Sequence, residues 1–452
     1  MAPDQYFSAE IGRALGGGPL PEIQIRPTGA LPSIYAVSAL ASQAIGSAAA
    51  EVSAWSTEAL GVSQLGVVEV DGSRASHWFR RTIEPVGWRP PPIWDDLAGV
   101  YATRDGWIRL HTNAPHHRQA ALATLACNGD KDAVASAVSR WNGEKLESGV
   151  VAKGGCAAVL RGAEQWREHE NGAAVAKEAI IHRKDGAMGS TEVVKGTSAR
   201  PLSGIKVLDL TRVLAGPVCT RFLAGWGAQV LRLDPDDWEE GAVTPEVALG
   251  KRCARIDLKR EKEAFVNLLR EADVLVHGYR SDALERLGFG ESTRQEIRPG
   301  LIDVSLNAYG WTGSWSRRRG FDSLVQMSCG IADAGMTQTG REQPFPLPVQ
   351  ALDHATGYLM AAAVVRGLRE RLQTNGGSIA RTSLARTALL LMSGPVGDLN
   401  AKLPSSDENW SDYVESTDWG PMKRMRPPVS IPSAKMAWEM SAGPLGRHPP
   451  IW

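Results

Sequence analysis

Asp353 stands where a stretch with helical periodicity begins, DHATGYLMAAAVVRGLRER, and His354 follows it directly. Aspartate is among the residues that most often cap a helix N-terminus, because its oxygens accept hydrogen bonds from the free backbone N–H groups. The same location stabilises a carboxylate, and any oxyanion that forms there, through the partial positive charge of the helix N-terminus. Taken alone, this pattern indicates an N-cap and leaves a chemical role open.

A βαβ unit precedes this helix by more than a hundred residues. The apolar run Ile205–Leu210 is typical of a buried parallel strand, Gly216-Pro217 marks a turn, and Gln229–Leu233 forms a second apolar strand after a helical stretch. The turn after the first strand of such a unit is where α/β folds bind nucleotides. Neither GxGxxG nor a P-loop is present, so the common nucleotide fingerprints do not explain the unit.

The residues of this unit, PLSGIKVLDLTRVLAGP, resemble the opening of the family III CoA-transferases, a group that includes formyl-CoA transferase and carnitine CoA-transferase. Further segments over 201–377 are similar to family motifs and follow the family's order: GKRCARIDLK (250–259), ADVLVHGYRSDALERLGFG (272–290), RPGLIDVSLNAYGWTGSWSRRRGFDSLVQMSCGI (298–331) and ALDHATGYLMAAAVVRGLRERLQTNGG (351–377). The resemblance implies an α/β fold: a Rossmann-like parallel-sheet catalytic domain, a smaller α+β domain, and an interlocked dimer.

The resemblance also implies the chemistry, which is the transfer of CoA from an acyl-CoA to a small carboxylate. Asp353 matches the aspartate that the family uses as its nucleophile, through an aspartyl anhydride and an aspartyl-CoA thioester. This is covalent catalysis, and it needs no metal and no cofactor beyond coenzyme A itself as the acyl-CoA substrate. Positions that match the family's CoA-binding residues are Val213, Leu214, Ala215, Lys251, Arg252, Tyr279, Arg286 and Arg319.

Two alternatives stay open. The family also contains α-methylacyl-CoA racemases, which carry a histidine immediately before the aspartate of a GHD motif. Phe321 occupies that position here and cannot transfer a proton, which favours a transferase, although His354 could replace the missing histidine. The second alternative is a catalytically inactive CoA-binding paralogue, because the family's ENFRPG has become HGYRSD at 277–282.

The first half of the chain resembles family segments that normally follow the catalytic half. VYATRDGWIRLHTNAPHHRQAALATLAC (100–127) is similar to the family's DGWI strand and the helix after it. We therefore expect a leader over 1–29, a small α+β domain over 30–196 that ends in a flexible linker near 183–200, a Rossmann-like CoA-binding domain over 197–392, and an extended wrapping tail over 393–452. The family halves then stand in permuted order, with the active-site cleft between 197–385 and the DGWI-containing domain.

A weak internal similarity accompanies this order. Residues 31–55 are similar to 347–368, and 67–79 to 378–391, which places Val37 opposite Asp353 and predicts a single nucleophile per chain. Because the family forms large dimer interfaces, we expect a homodimer.

Bulk composition narrows the class of protein. The 452 residues carry 50 basic and 50 acidic side chains, and this neutrality argues against nucleic acid as a partner. The five cysteines lack CxxC spacing, which argues against a zinc site or a disulfide framework. No apolar run approaches the length of a membrane span, and the first residues do not resemble a signal peptide, so we expect a cytoplasmic protein with no membrane partner.

Overall fold

The computed structural model describes residues 2–26, 29–62, 66–189, 196–432 and 434–452. The α-helices are α1 (Pro3–Ala14), α2 (Val37–Leu60), α3 (Gly72–Trp78), α4 (Pro115–Leu125), α5 (Lys131–Val138), α6 (Gly143–Ala152), α7 (Ala163–Glu168), α8 (Glu170–Val175), α9 (Ala215–Gly225), α10 (Thr244–Val247), α11 (Lys262–Glu271), α12 (Ala283–Arg286), α13 (Glu291–Ile297), α14 (Asp322–Ser328), α15 (Ile331–Thr339), α16 (Ala351–Thr374) and α17 (Leu384–Met392). Short 3₁₀ turns lie at Gly241–Val243 and Asp407–Asn409. None of the helices in these ranges combines the length and the hydropathy that a membrane span requires.

The strands are β1 (Ile23–Arg26), β2 (Val68–Asp71), β3 (Ile83–Pro85), β4 (Gly99–Ala102), β5 (Trp107–Leu110), β6 (Ala157–Val159), β7 (His182–Met188), β8 (Lys206–Leu210), β9 (Gln229–Asp234), β10 (Lys251–Arg255), β11 (Val274–His277), β12 (Ile302–Asn307), β13 (Gly376–Ser383), β14 (Trp410–Thr417), β15 (Gly420–Met425) and β16 (Val429–Ser430). The predicted apolar runs of the βαβ unit form β8 and β9, with α9 between them.

The main sheet has the strand order β10-β9-β8-β11-β12-β13-β7. All its neighbours are parallel except β7, which pairs antiparallel with β13 at one edge. The chain runs outward from β8 to β10 and then returns to β11 on the other side of β8. This reversal opens a crevice at the carboxyl ends of β8 and β11, where doubly wound folds bind ligands. The predicted α/β class with a Rossmann-like parallel sheet is confirmed.

Helix α16 crosses the centre of the molecule and is buried along nearly its whole length. Small residues make this possible, because they let neighbouring backbones approach closely. A Cβ atom added at Gly357 would lie 2.4 Å from the carbonyl oxygen of Ala215, at the start of α9. The N-terminal turn of α16 is therefore held directly beside the turn that follows β8.

Helices α2 and α16 share several local features, in agreement with the predicted internal similarity. Each has 24 residues and ends at a residue with left-handed backbone, Gly61 or Asn375. Each starts with the same tight turn, in which the first helical N–H donates to the carbonyl two residues earlier, at 2.7 Å in α2 and 2.8 Å in α16. Ala39 and Asp353 are both the third residue of their helices, so Ala39 occupies the position in α2 that is equivalent to Asp353 in α16. The predicted match of Val37 with Asp353 is wrong by two residues.

The strands around these helices repeat the same arrangement. β2 follows α2, pairs parallel with β1 and antiparallel with β16, and forms a three-stranded sheet. β13 follows α16, pairs parallel with β12 and antiparallel with β7. The antiparallel strand of each set comes from the other half of the chain. β7, which follows the α2 segment, pairs with β13 after α16, and β16, which follows the α16 segment, pairs with β2 after α2.

Residues 97–160 form a small α+β unit with its own apolar core. Its sheet has the order β4-β5-β6, and α4, α5 and α6 pack on one face of it. The remainder of the predicted 30–196 domain does not belong to this unit, because α2 packs along α16 in the main core. Apolar small residues around the whole circumference of α2 require burial on every side, which a small separate domain could not supply.

The segments expected to be extended are more structured than predicted. In place of a leader, α1 packs on the main core through Phe7, Ile11 and Leu15, whose spacing places them on one helix face. The predicted linker begins with strand β7, and its residues 190–195 lie outside the described residues. In the predicted tail, β14 and β15 form a sheet with β3, and β16 joins β2.

Candidate active site

A cleft of about 1970 Å³ opens at the carboxyl ends of β8, β11, β12 and β13. One wall consists of the turns that follow these strands, and the other comes from residues 92–96 and from residues 111–119 of the small α+β unit. The predicted cleft between the catalytic half and the DGWI-containing unit is thus present within one chain. The predicted site residues that line it are Val213, Leu214, Ala215, Tyr279, Arg286, Arg319 and Asp353.

Asp353 is half-buried in the first turn of α16 and faces this cleft. It is not the N-cap: that position is held by Gln350, whose side chain makes no capping hydrogen bond. The cap comes from another helix, because the backbone N–H groups of Leu352 and Asp353 donate to Oδ2 of Asp322 at 2.8 and 3.0 Å. The carboxylate of Asp353 is thereby left free for another role.

Asp322 is the first residue of α14, and its side chain is fully buried. Its other oxygen accepts a hydrogen bond from the Gln326 amide, and Oε1 of Gln326 accepts the N–H of Leu347 at 2.7 Å. One carboxylate and one amide therefore hold both the start of α16 and the segment that leads into it. Reasoning from the sequence missed this role, although Asp322 belongs to the GFD motif that was compared with the racemases.

The two carboxyl groups share a poorly solvated environment. Burial raises the pKa of Asp353 well above its usual range, and the nearby Asp322 raises it further. Burial also raises the pKa of Asp322, against the opposing effect of its hydrogen bonds from Gln326 and the two backbone N–H groups. A like-charged pair in such surroundings resists double ionisation, so Asp353 becomes a stronger base when Asp322 is ionised.

His354 does not face the cleft. Its ring is buried and stacks on Phe79 at a centroid distance of 5.0 Å. Burial lowers the pKa of His354 to about 3, and Arg221 acts in the same direction. The neutral imidazole is therefore a packing group, and this geometry counts against the acid–base pair of Asp353 with His354.

The small unit contributes imidazoles to the cleft wall instead. His111 follows β5 and stacks on Phe321 with ring centroids 3.7 Å apart. Trp94 meets the His111 ring edge-on at 5.7 Å. Burial lowers the pKa values of His111 and His117 to about 3, so both rings are neutral at neutral pH. The aromatic rings of this wall are therefore uncharged at neutral pH.

Positive charge also gathers in this cleft. Arg212, Arg280 and Arg319 line it, and none of them has an ion-pair partner within the residues that the structure describes. Burial lowers the pKa of Arg319, and repulsion from Arg280 and Arg212 lowers it further. Three cations this close together, none of them ion-paired among the described residues, suit a multiply charged anion.

Two other residues that were expected to contact CoA, Tyr279 and Arg286, line the same cleft. Tyr279 lies under the Arg212 guanidinium, which is 5.4 Å from the centre of its ring. Arg286 is paired with Asp282 at 3.0 Å and remains 57% exposed. Both predicted residues therefore line the same cleft as the three arginines.

Lys251 and Arg252 do not line the cleft. The Lys251 ammonium is fully buried, and Nζ donates to Asp209 Oδ2 at 3.1 Å and to the Pro217 carbonyl at 3.0 Å. The structure therefore gives Lys251 a supporting role beneath the turn, because the buried carboxylate of Asp209 needs a compensating cation. Sequence similarity alone identifies the basic pair but not the direction of its side chains.

The turn itself is strained. Val213 has a φ of 63°, which is unusual for a β-branched residue, and its N–H donates to Glu240 Oε1 at 2.6 Å. Arg232 in turn contacts Glu240 at 2.8 Å in the buried interior. Strained backbone that is held by a buried network is typical of ligand-binding turns.

Comparisons with known proteins agree with this arrangement. Residues 202–410 match the family model of CoA-transferase family III. An acetyl-coenzyme A transferase of Hypoxylon pulicicidum is 36% identical over 185 residues, which are 39% of this chain and 31% of that protein. An acyl-CoA transferase of Gibberella moniliformis is 26% identical over 324 residues, 65% of this chain and 56% of that protein.

The match with solved structures is partial as well. The crystal structure of Rv3272 from M. tuberculosis shares 29% identity at a TM-score of 0.40, over 43% of this chain and 57% of that one. The chain thus spans from about a third to somewhat more than half of the length of the proteins that it matches. Over residues 202–410, which are somewhat less than half of its length, the chain is similar to CoA-transferase family III.

Proposed function

We propose that this protein is an acyl-CoA:carboxylate CoA-transferase with Asp353 as its nucleophile. The observation that carries the proposal is the unpaired, cleft-facing carboxylate of Asp353 at the start of α16, in the same cleft as the three unpaired arginines. The arginines suit the phosphates of CoA, and the Asp353 carboxylate suits attack on the thioester.

The reaction proceeds by exchange of acyl groups on Asp353. Its carboxylate attacks the thioester carbon, the C–S bond breaks, and an acyl–aspartyl anhydride and CoA thiolate form. The thiolate attacks the aspartyl carbonyl and releases the donor carboxylate, which leaves an aspartyl-CoA thioester. The acceptor carboxylate then attacks this thioester to form a new anhydride, and the thiolate attacks its acyl carbonyl to give the new acyl-CoA and free Asp353. No net proton is gained or lost.

The surroundings support these steps in two ways. The N-terminus of α16 favours negative charge that develops on the Asp353 acyl oxygen. The aromatic wall of His111 and Phe321 limits access of water, which would hydrolyse the anhydride.

Trapping with hydroxylamine tests the proposal. Incubation with an acyl-CoA and hydroxylamine should convert Asp353 to its hydroxamate, which peptide mass spectrometry detects. Asp353→Asn should show neither the hydroxamate nor transfer. Asp412→Asn is the matched control, because the Asp412 side chain is 96% exposed and does not line the cleft. This variant should keep normal transfer. Normal transfer by Asp353→Asn would exclude this nucleophile.

A homodimer is also proposed on the family resemblance, and a cytoplasmic location on the five scattered cysteines, which fit a reducing compartment. A racemase or an inactive CoA-binding protein remains the alternative in function. The packing of His354 away from the cleft weighs against the first, and the exposure of Asp353 to the cleft weighs against the second. Deuterium wash-in at the acyl α-carbon without CoA exchange would support a racemase.

A further inference from the structure

A buried hydroxyl without a partner lies next to the carboxylate that caps α16. Ser323 is the second residue of α14 and directly follows Asp322. Ser323 is only 5% exposed, and its Oγ atom forms no hydrogen bond with any residue that the structure describes. Leaving a buried polar atom unpaired is unfavourable, so such atoms are rare in folded proteins and call for an explanation.

The position of Ser323 in its helix explains why no local partner is available. A serine inside a helix can donate to the carbonyl four residues earlier, as Ser328 of the same helix does with Leu324 at 3.0 Å. Ser323 lies in the first turn, so the carbonyl four residues earlier precedes the helix. Ser328 also contacts the Tyr309 hydroxyl at 3.2 Å. Of these two buried serines, only Ser323 is left without a partner.

The polar groups next to Ser323 along the chain are already engaged. One oxygen of Asp322 accepts a hydrogen bond from the Gln326 amide. The other oxygen accepts the backbone N–H groups of Leu352 and Asp353. The Ser323 hydroxyl is therefore free to donate to a group that arrives with a ligand.

Ser323 and Asp353 line the same cleft. Asp322 links the two residues, because it is bonded to Ser323 in the chain and its Oδ2 lies 3.0 Å from the backbone nitrogen of Asp353. The first turns of α14 and α16 thus lie side by side at the cleft. A substrate carbonyl in contact with the Asp353 carboxylate therefore comes close to the Ser323 side chain.

Unpaired polar atoms of other cleft residues lie around the same helix start. His111 and His117 are both more than nine-tenths buried, and the Nδ1 atom of each has no hydrogen-bond partner among the described residues. The centres of their rings lie 3.7 and 5.8 Å from that of Phe321, two residues before Ser323. A few polar groups in a largely apolar wall are typical of a site that orients a polar part of its ligand.

The chemistry of the proposed reaction supplies a partner for the hydroxyl. When the Asp353 carboxylate attacks a thioester, an electron pair of the carbonyl double bond moves to the oxygen, which becomes negatively charged. A donor that is already held near this oxygen stabilises the charge, and exclusion of water strengthens the hydrogen bond. The hydroxyl of Ser323 can fill this role without losing its proton.

We propose that Ser323 is a further catalytic residue, whose Oγ–H group donates to the acyl carbonyl oxygen during the attack by Asp353. A bond forms between an Asp353 oxygen and the acyl carbon. When this tetrahedral intermediate collapses, the electron pair returns to the carbonyl, the C–S bond breaks, and CoA leaves as the thiolate. The proton stays on Ser323. This inference rests on the proposed function, because it takes Asp353 as the nucleophile.

Two variants of the same shape test the inference. Ser323→Thr keeps a hydroxyl, whereas Ser323→Val has a methyl group in its place, so any strain from the added bulk is common to both. The measurement is the rate of hydroxamate formation on Asp353 at saturating acyl-CoA, with hydroxylamine at a concentration that no longer limits the wild-type rate. Acetyl-CoA, butyryl-CoA and succinyl-CoA are the donors.

With the donor that the wild type uses fastest, Ser323→Val should react about 100-fold more slowly than Ser323→Thr, a typical effect of losing one oxyanion donor. The acyl-CoA concentration at half-maximal rate should be similar in both variants, because the hydrogen bond strengthens only in the transition state. Equal maximal rates would overturn the inference, and so would a difference confined to the half-maximal concentration.

Two alanine variants guard against a purely structural effect. Ser323→Ala removes the hydroxyl without added bulk, so it should show the same loss and keeps the test decisive if Ser323→Val fails to fold. Ser328→Ala is the matched control, because Ser328 is buried on the same helix but does not line the cleft. It should keep the wild-type rate, and circular dichroism checks the folding of each variant. Equal slowing in folded Ser328→Ala would contradict a catalytic role for Ser323.

The wild-type protein separates this inference from the proposed function. If none of the three donors labels Asp353 in the wild type, the transferase assignment fails. If the wild type labels Asp353 and folded Ser323→Ala does so at the same rate, only the inference about Ser323 fails.

Discussion

At the scale of single residues, the reactivity of Asp353 depends on Asp322. The Asp322 carboxylate caps the helix that carries Asp353 and also places a negative charge beside it. The two effects can be separated, because an asparagine keeps an oxygen that accepts the backbone N–H groups but loses the charge. Asp322 thus positions the start of α16, and its charge also raises the pKa of Asp353, the proposed nucleophile.

Transfer by the wild-type protein should increase with pH on the acid side, because attack requires ionised Asp353 and its pKa is raised by burial and by Asp322. Asp322→Asn removes the like charge, so the pKa of Asp353 falls and the acid limb of kcat/KM should move to lower pH. A pH profile of kcat/KM measures this shift. An acid limb that stays in place would indicate that Asp322 acts only through structure.

Lys251 provides a second prediction at this scale. Replacing it with methionine leaves Asp209 buried without its ion-pair partner, which should lower the free energy of unfolding by about 3–5 kcal/mol. Urea denaturation measures the loss. Arg252→Met is the matched control, because Arg252 neighbours Lys251 on β10 but lacks a buried ion pair among the described residues. A normal unfolding free energy with a large rise in KM for acyl-CoA would instead favour direct contact with CoA.

At the scale of elements, α2 and α16 are joined by a buried ion-pair cluster. The Glu51 carboxylate is fully buried on α2 and contacts Arg366 at 2.8 Å and Arg369 at 2.6 Å on α16. Small residues alone would let these two helices slide or rotate against one another. The ion pairs fix their register, so the start of α16 is held where the cleft needs it.

Glu51→Gln should therefore destabilise the protein by about 3–5 kcal/mol, since two arginines lose their buried carboxylate. Urea denaturation tests this expectation. The control is Glu69→Gln, which breaks the exposed pair with Arg26 and should change the unfolding free energy by less than about 1 kcal/mol. Similar losses in the two variants would contradict a special role for the buried cluster.

At the scale of the whole molecule, one chain supplies both walls of the cleft. The small α+β unit faces Asp353 within the same chain, and the strands β7 and β16 cross between the two similar helix–strand sets. Ala39, the counterpart of Asp353 in α2, has no nucleophilic group. Both walls of the cleft, and the candidate nucleophile, therefore come from a single chain.

We expect a single labelled carboxylate per chain, at Asp353, and a homodimer in solution. Light scattering gives the mass of the assembly, and trapping with acyl-CoA and hydroxylamine gives the number of labelled sites. A fully active monomer would contradict the homodimer but not the single site. A second hydroxamate within residues 30–196 would contradict the single site.

The sequence by itself determined the parallel βαβ unit and the class of fold, and it identified Asp353 as the candidate nucleophile. These features depend on local patterns: apolar runs of strand length and a motif at the beginning of a helix. It also indicated the relation between α2 and α16, although the match was misaligned by two residues because small-residue helices resemble one another.

Only the tertiary structure decided which side chains share the cleft. In the tertiary structure, Lys251 is buried beneath the turn that follows β8, and His354 packs in the core. His111 and the three arginines line the cleft, and Asp322 binds the start of α16. These contacts join residues far apart in the chain, so no local periodicity records them. The capping of α16 by Asp322 from another helix is the clearest case, because a local pattern predicts that a helix caps itself, whereas packing brought in a better acceptor.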